Sequence, residues 1–217
     1  MPNWVITRIY ITGPEDKIKE FEDRVIDMSK DAEKAFSFQK ISPTPAELNN
    51  TQSPPPKPKK IKVKTLAGED LEIEEIEDCN NATPEMCRDL ESRFGHNNWY
   101  DWNNWNWGTK WDCSESIYSQ EDKMLEFQTA WACPEEILLK MSEMFPDLNF
   151  TGTFADEDFG CNVGYFEEGG TFHLEDGSEE AYETAATLWN YEGYYDDDKG
   201  KWIFEGDCED LNEDEDD

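Results

Sequence analysis

An α+β fold, an antiparallel sheet backed by helices, is what three features of the sequence predict. Stretches that alternate apolar and polar residues at the period of a strand are interleaved with stretches whose apolar residues recur every three to four positions, the period of a helix. The two kinds of stretch alternate singly near the start of the chain, in the manner of split βαβ units. An aromatic content of 13% in 217 residues supplies a folded core although the hydrophobic share is only 36%. Disordered chains are poor in aromatics, and this length buries a sizeable interior.

The first strand is read from Trp4 to Ile11, where the alternation ends at Gly13. Pro14 followed by Glu15 and Asp16 is a helix start: proline suits the first helical position, and acids suit the positive end of the helix dipole. The spacing Ile18, Phe21, Val25, Met28 predicts one buried face through about Ser29. A short second strand is expected over Phe36 to Ile41. Residues 42–60, "SPTPAELNNTQSPPPKPKK", hold six prolines and are expected to form a loop of polyproline character. The alternation of Ile61, Val63 and Thr65, then Leu71, Ile73 and Glu75, around Ala67-Gly68 predicts a hairpin within an insertion at 61–95. Asn81 or Thr83 is expected to cap a helix that starts near Pro84, runs through Cys87 and Leu90, and stops at Gly95.

The stretch "WYDWNNWNWGTKWD" (99–112) holds five of the nine tryptophans at intervals that match neither a strict helix nor a strict strand. Strands are expected at Ile117–Ser119 and Met124–Trp131, separated by the acidic turn "QED". Cys133-Pro134-Glu135-Glu136 repeats the earlier helix-start chemistry, and Ile137, Leu138, Met141, Met144 and Phe145 give that helix an apolar face ended by Pro146. "LNFTGTFADED" and "GCNVGYFEEGGTFHLED" are rich in strand signals. A helix near Ser178–Tyr191 and an aromatic strand at Lys201–Phe204 follow. The order of elements predicts a ferredoxin-like βαββαβ sandwich with its helices on one face, extended by C-terminal strands and a helix. It is expected as a single domain over 1–205, with the insertion at the β2–β3 hairpin and a disordered acidic tail over 206–217.

Charge restricts the function classes. The chain has 52 acids against 19 Lys and Arg, a net charge of −33. No Lys or Arg lies between Lys140 and Lys199, whereas residues 141–198 hold 16 acids, and 14 of the 19 bases precede residue 94. Such a field repels nucleic acid and anionic membranes and steers basic partners toward it. Solubility alone is the bland explanation of acidity. The base-free stretch at 141–198 gives equal weight to a surface that binds a basic protein.

No secretory leader or membrane span is expected, so the reading is cytoplasmic. Six scattered cysteines (79, 87, 113, 133, 161, 208) without a Cys-x-x-Cys pair are expected as free thiols. The two histidines, His96 and His173, stand in no metal-binding spacing. "HLED" puts a carboxylate two residues from His173, and a Cys-His nucleophile pair, such as Cys113 with His96, has no supporting motif; neither supports an activity. "DDDKGKWIFEGD" lacks the sixth-position Gly of a calcium loop. No phosphate loop or dinucleotide glycine pattern occurs. No catalytic residue, metal or cofactor is therefore expected.

"MPNW" leading into "ITG", "PTPAEL", "WNWGTKWD", "FQTAWACP" and "GYFEEGG" resemble the YubB ferredoxin-like family of phage- and plasmid-encoded proteins over most of residues 1–192. The resemblance implies the same fold and an origin on a mobile element, and it supplies no catalytic motif. Its signature residues here are Trp4, Trp99, Trp102, Trp107, Gly108, Lys110, Trp111 and Trp131. They are expected to dock a loop or helix onto the sheet. Where the family usually carries a cysteine after "MPNW", this chain has Val5.

The expected function is that of a non-enzymatic acidic phage or plasmid protein that occupies a basic, nucleic-acid-binding site on a host protein. A mimic of DNA acting on a defence nuclease of a CRISPR or restriction system fits this chemistry, because spaced carboxylates imitate phosphates. Candidate partner-binding acids are Asp156, Glu157, Asp158, Glu167, Glu168, Glu175, Asp176, Asp196, Asp197 and Asp198. Phe159, Tyr194 and Tyr195 are the candidate aromatic anchors. The alternative is a module that binds a nucleotide or other small ring through tryptophans 99–111. Direct nucleic-acid or membrane binding is not expected, and dimerisation through a sheet edge stays open.

Overall fold

The computed structural model describes residues 2–29, 34–51, 58–64, 70–76 and 84–205. In chain order its elements are β1 (Trp4–Thr12), α1 (Glu15–Val25), a 3-10 turn (Phe38–Lys40), β2 (Pro58–Lys64), β3 (Asp70–Ile76), α2 (Pro84–Phe94), α3 (Trp99–Trp107), β4 (Ser114–Ser119), β5 (Met124–Ala130), α4 (Glu135–Met144), β6 (Asn149–Asp156), β7 (Gly164–Glu167), β8 (Gly170–His173), α5 (Glu179–Trp189), β9 (Gly193–Asp196) and β10 (Lys201–Phe204). They fall into two compact units, Met1–Ser42 with Trp107–Asp217, and Pro43–Asn106. The expected tail over 206–217, the turn around Gly68, the caps at Asn81 and Thr83, and Cys79 and Cys208 lie outside the described residues.

The larger unit is built on a six-stranded sheet of order β4-β5-β1-β6-β7-β8 in which every neighbouring pair is antiparallel. β1 and β4 therefore run parallel with β5 between them, and β5 and β6 run parallel with β1 between them. These are two interleaved split βαβ units closed by α1 and α4, so the fold is the ferredoxin-like sandwich that the order of elements predicts. The β7–β8 hairpin widens the sheet past β6.

Two expectations inside this frame are corrected. Phe36–Ile41 is not the second strand; it is irregular around the 3-10 turn, and β4 takes the strand's place. Phe36 N donates to Ser116 Oγ (2.8 Å) and Phe38 N to Asp112 Oδ1 (2.7 Å), so side chains take the amides that a strand ladder would use. Phe36 and Phe38 are both buried, which reproduces the alternation of a strand without its pairing. The extra segment consequently interrupts the leg from α1 to β4, whereas β4 and β5 form a direct hairpin. The face of α1 also ends earlier than expected. Ile26 is extended, and Met28 is 51% exposed.

One face of the sheet carries Val5, Ile9, Leu125, Phe127, Phe150 and Phe154, and α1 and α4 pack over it with Ile18, Phe21, Val25, Ile137, Leu138 and Met141, all buried. Phe21 lies 5.2 Å from Phe145 and 5.6 Å from Phe150, ring to ring. On the opposite face Ile6 and Ala155 meet Val163, Ala181, Ala185 and Leu188. The alanines let α5 approach closely there. Ser178 caps α5, accepting from Ala181 N, and Asn190 ends it in the left-handed conformation.

In the smaller unit β2 and β3 pair as the expected hairpin, and Gly95 ends α2 at φ +76 with its N–H on Glu91 O. Residues 99–107 of the tryptophan stretch form a helix, α3, although their spacing matches no strict helical period. Asn98 caps it by accepting from Asp101 N (2.9 Å), and the Asn104 and Asn106 amides bond back to Tyr100 O and Trp102 O. Asn104 and Asn106 thus bond along the helix itself, whereas the buried Asn103 accepts from Thr44 Oγ1 (2.9 Å).

Candidate functional site

The two halves of the signature meet at the end of the large sheet where β1 begins and β5 and β6 finish. Trp107 is 2% exposed, and its indole N–H donates to Ser42 O (2.7 Å). Gly108, at φ +78, turns the chain where a Cβ would sit 3.2 Å from Glu135 N. Thr109 then ties the turn to β5 by donating to Ala130 O (2.9 Å). The result places Trp111 beside Trp131, with ring centroids 5.3 Å apart at 32°. Lys110 Nζ lies 4.4 Å from the Trp111 ring centroid and 5.7 Å from that of Trp131. Trp111 is 39% and Trp131 48% exposed, so the pair forms a ledge that faces solvent.

Trp131 holds φ +65, a region that a bulky side chain rarely adopts. Its N–H donates to Asn3 O (2.9 Å), and its carbonyl accepts from Asn162 Nδ2 (3.4 Å). Asn162 connects the ledge to the acidic loop that follows β6: the same amide donates to Asp156 Oδ2 (3.2 Å), and Asn162 N donates to Asp176 Oδ1 (2.9 Å).

Asp156 is a correction. Expected on the acidic surface, it is buried, and it accepts from Asn3 Nδ2, Asn162 Nδ2 and Asp158 N. A buried carboxylate must be paired in this way, and here it organises the loop. Glu157, Asp158, Glu175 and Asp176 are exposed around it. Burial pushes the Cys161 thiol up, and the charges of Asp158, Asp176 and Asp156 push it up further. Glu167 and Glu168 are exposed on the β7–β8 turn, and Asp197 and Asp198 on the β9–β10 turn. Asp196 instead pairs with Lys199 Nζ at 3.1 Å.

Of the expected aromatic anchors, Phe159 is half-buried at the hub of an aromatic cluster, with Tyr182, Tyr191 and Phe204 each 5.3 Å away and Trp202 at 5.7 Å. Tyr195 is half-buried 5.8 Å from Tyr182, and Tyr194 is 55% exposed. Trp4 and Trp99 are half-buried and Trp102 is buried. Asn3 and Asn162, which hold the site together, carry no signal in composition or spacing.

The candidate reactive groups His173 and Cys113 each have another partner. His173 Nε2 lies 3.1 Å from Glu135 Oε1 rather than beside the carboxylate of its own "HLED" stretch. Cys113 donates to Phe36 O, and burial pushes its thiol and that of Cys133 up, the direction opposite to an activated nucleophile. Cys87, Cys113, Cys133 and Cys161 are free thiols. Among the described residues no group of three or more His, Cys, Asp or Glu is placed to hold a metal ion, and no helix is long and apolar enough to cross a membrane.

Neither a curated protein nor a solved structure matches the chain. Residues 106–198, which contain the tryptophan ledge and the acidic loop but not β1, are similar to a family described as the ferredoxin-like domain in Api92-like protein.

Proposed function

We propose that the protein is a non-enzymatic binding module whose acidic surface occupies a basic site on a protein partner. The observation that carries this reading is the gathering of Glu157, Asp158, Glu175 and Asp176 on loops that Asn162 and Asp156 brace, inside a stretch without Lys or Arg. Braced carboxylates lose little freedom when they pair with arginines or lysines, and they present charge at spacings that replace phosphates. With the YubB-like signature and the mobile-element origin it implies, the partner is a host nucleic-acid-binding protein met in the cytoplasm. A restriction or CRISPR nuclease is the specific case.

The test is DNA cleavage by a panel of purified host restriction and CRISPR nucleases with the protein added, at about 0.05 M and about 0.3 M salt. Inhibition that weakens with salt, and that is lost in the triple variant Glu157→Lys, Asp158→Lys, Glu175→Lys, supports the reading. Inhibition unchanged in that variant, or absent across the panel, refutes it.

A second reading has its own observation. Trp105 is 72% exposed, 6.0 Å from the His96 ring, over an open hollow lined by Tyr100, Asp101 and Asn104. A planar ligand stacking there would quench tryptophan fluorescence in wild type and not in Trp105→Ala, with a nucleotide panel as probe.

A further inference from the structure

We infer that Trp111 and Trp131 form a guanidinium-accepting ledge, which takes an arginine of a basic protein segment in the position that Lys110 now fills. The inference deepens the acidic-surface reading and rests on it.

Trp111 and Trp131 are signature residues that remain in solvent as a packed pair. Trp107 and Trp102 of the same sequence block are buried, whereas Trp111 and Trp131 are 39% and 48% exposed with their rings 5.3 Å apart. Exposed tryptophans held rigidly are the residue type that concentrates binding energy at protein interfaces. The rings already carry a cation. Lys110 Nζ lies within 6 Å of both centroids, the range in which an indole face attracts positive charge.

Charge complementarity then selects the occupant. The Trp131 carbonyl and the buried Asp156 share the Asn162 amide, and Asn162 N binds Asp176, so the acidic loops that carry the exposed Asp158 and Asp176 are hydrogen-bonded to the backbone of the ledge. An arginine fits this arrangement better than a lysine. Its guanidinium is planar, weakly hydrated and able to stack flat on indole while its N–H fork reaches a carboxylate. Lys110 is a compact, strongly hydrated charge on a flexible stem, so an incoming arginine competes with it for the indole faces. A nucleobase also stacks on tryptophan, but its phosphates would enter a field of −33 net charge.

The probes are dye-labelled octa-arginine, octa-lysine and a single-stranded oligonucleotide, titrated against the full chain by fluorescence polarisation. Octa-arginine is expected to bind several-fold tighter than octa-lysine. Trp111→Ala and Trp131→Gly are each expected to weaken octa-arginine about fivefold and octa-lysine less than about twofold. Glycine suits φ +65, so Trp131→Gly removes the ring without adding backbone strain; thermal melting of each variant checks the fold. Lys110→Gln, which leaves the rings in place, is expected to tighten octa-arginine binding. Equal affinity for the two peptides with unaffected Trp variants, weaker binding in Lys110→Gln, or preference for the oligonucleotide overturns the inference. If both peptides bind equally and the Glu157→Lys, Asp158→Lys variant loses both, the ledge is refuted while the acidic-surface reading stands. Nuclease inhibition that survives in the lysine triple variant refutes that reading instead.

Discussion

Two carboxylates show how single residues hold the large unit together. Asp112 Oδ1 accepts from Phe38 N (2.7 Å) and Cys113 N (2.9 Å), and its Oδ2 accepts from Ser37 Oγ (2.6 Å) and Lys34 Nζ (2.8 Å). It is therefore the clamp that fixes the irregular segment against the base of β4. Asp112→Ala leaves inward-facing amides unpaired and is expected to cost about 2–3 kcal/mol in denaturant unfolding with an unchanged m value. A loss below about 1 kcal/mol contradicts the clamp.

Glu22 makes a pH-dependent contribution. Burial pushes its carboxyl up, but the Tyr118 hydroxyl (2.8 Å) and Lys123 Nζ (3.1 Å) donate to it and hold it below its ordinary value. Its folded-state pKa is depressed, so the stability it contributes is complete above the unfolded value of about 4.3 and disappears as pH falls through the lower folded value. The deficit in Tm of Glu22→Gln relative to wild type is expected to be full at neutral pH and to shrink in strong acid. A deficit that stays constant down to the acid limit rules this contribution out.

At the scale of elements, close strand approach depends on one glycine. Gly152 of β6 sits opposite Ile9 of β1, and a Cβ there would lie 2.1 Å from the Arg8 carbonyl oxygen. The neighbour is backbone in the central strand pair and has no side chain to move aside. Gly152→Ala is expected to destabilise by about 3 kcal/mol or more, read as a lowered Tm. A variant that melts with wild type would mean that the β1–β6 pairing absorbs the methyl. α3 draws on local chemistry as well: an Asn cap and two asparagine amides bonded back along the helix support a segment that its tryptophan spacing alone does not predict, while the buried Asn103 accepts from the distant Thr44.

For the whole molecule, net charge dominates. At −33 the folded chain repels itself, and its bases are concentrated before residue 94, away in sequence from the base-free stretch. Salt shortens the screening length from about 10 Å at 0.1 M to about 3 Å at 1 M. Scanning calorimetry is expected to give a Tm that rises by several degrees across this range. A Tm that falls with salt would show that the structural ion pairs, such as Arg8–Glu126 at 2.7 Å, outweigh the repulsion. Salt is expected to act oppositely on binding to a basic partner, which weakens as the folded chain becomes more stable.

By itself the sequence determined the strands and helices with strong periodicity, their order, the ferredoxin-like class and the sign of the surface. These depend on local rules, the period of burial and the chemistry of helix starts, which neighbouring residues carry between them. Tertiary structure alone decided that β4 rather than Phe36–Ile41 completes the first split unit, because buried residues two apart look alike in a strand and in a clamped turn. Only the fold could bring Trp111 and Trp131 together across the β4–β5 hairpin, turn Asp156 inward and make Phe159 a hub. Each of these depends on partners distant in the chain, and pairing across such distances is set by which faces the closed sheet brings into contact rather than by any pattern along the sequence.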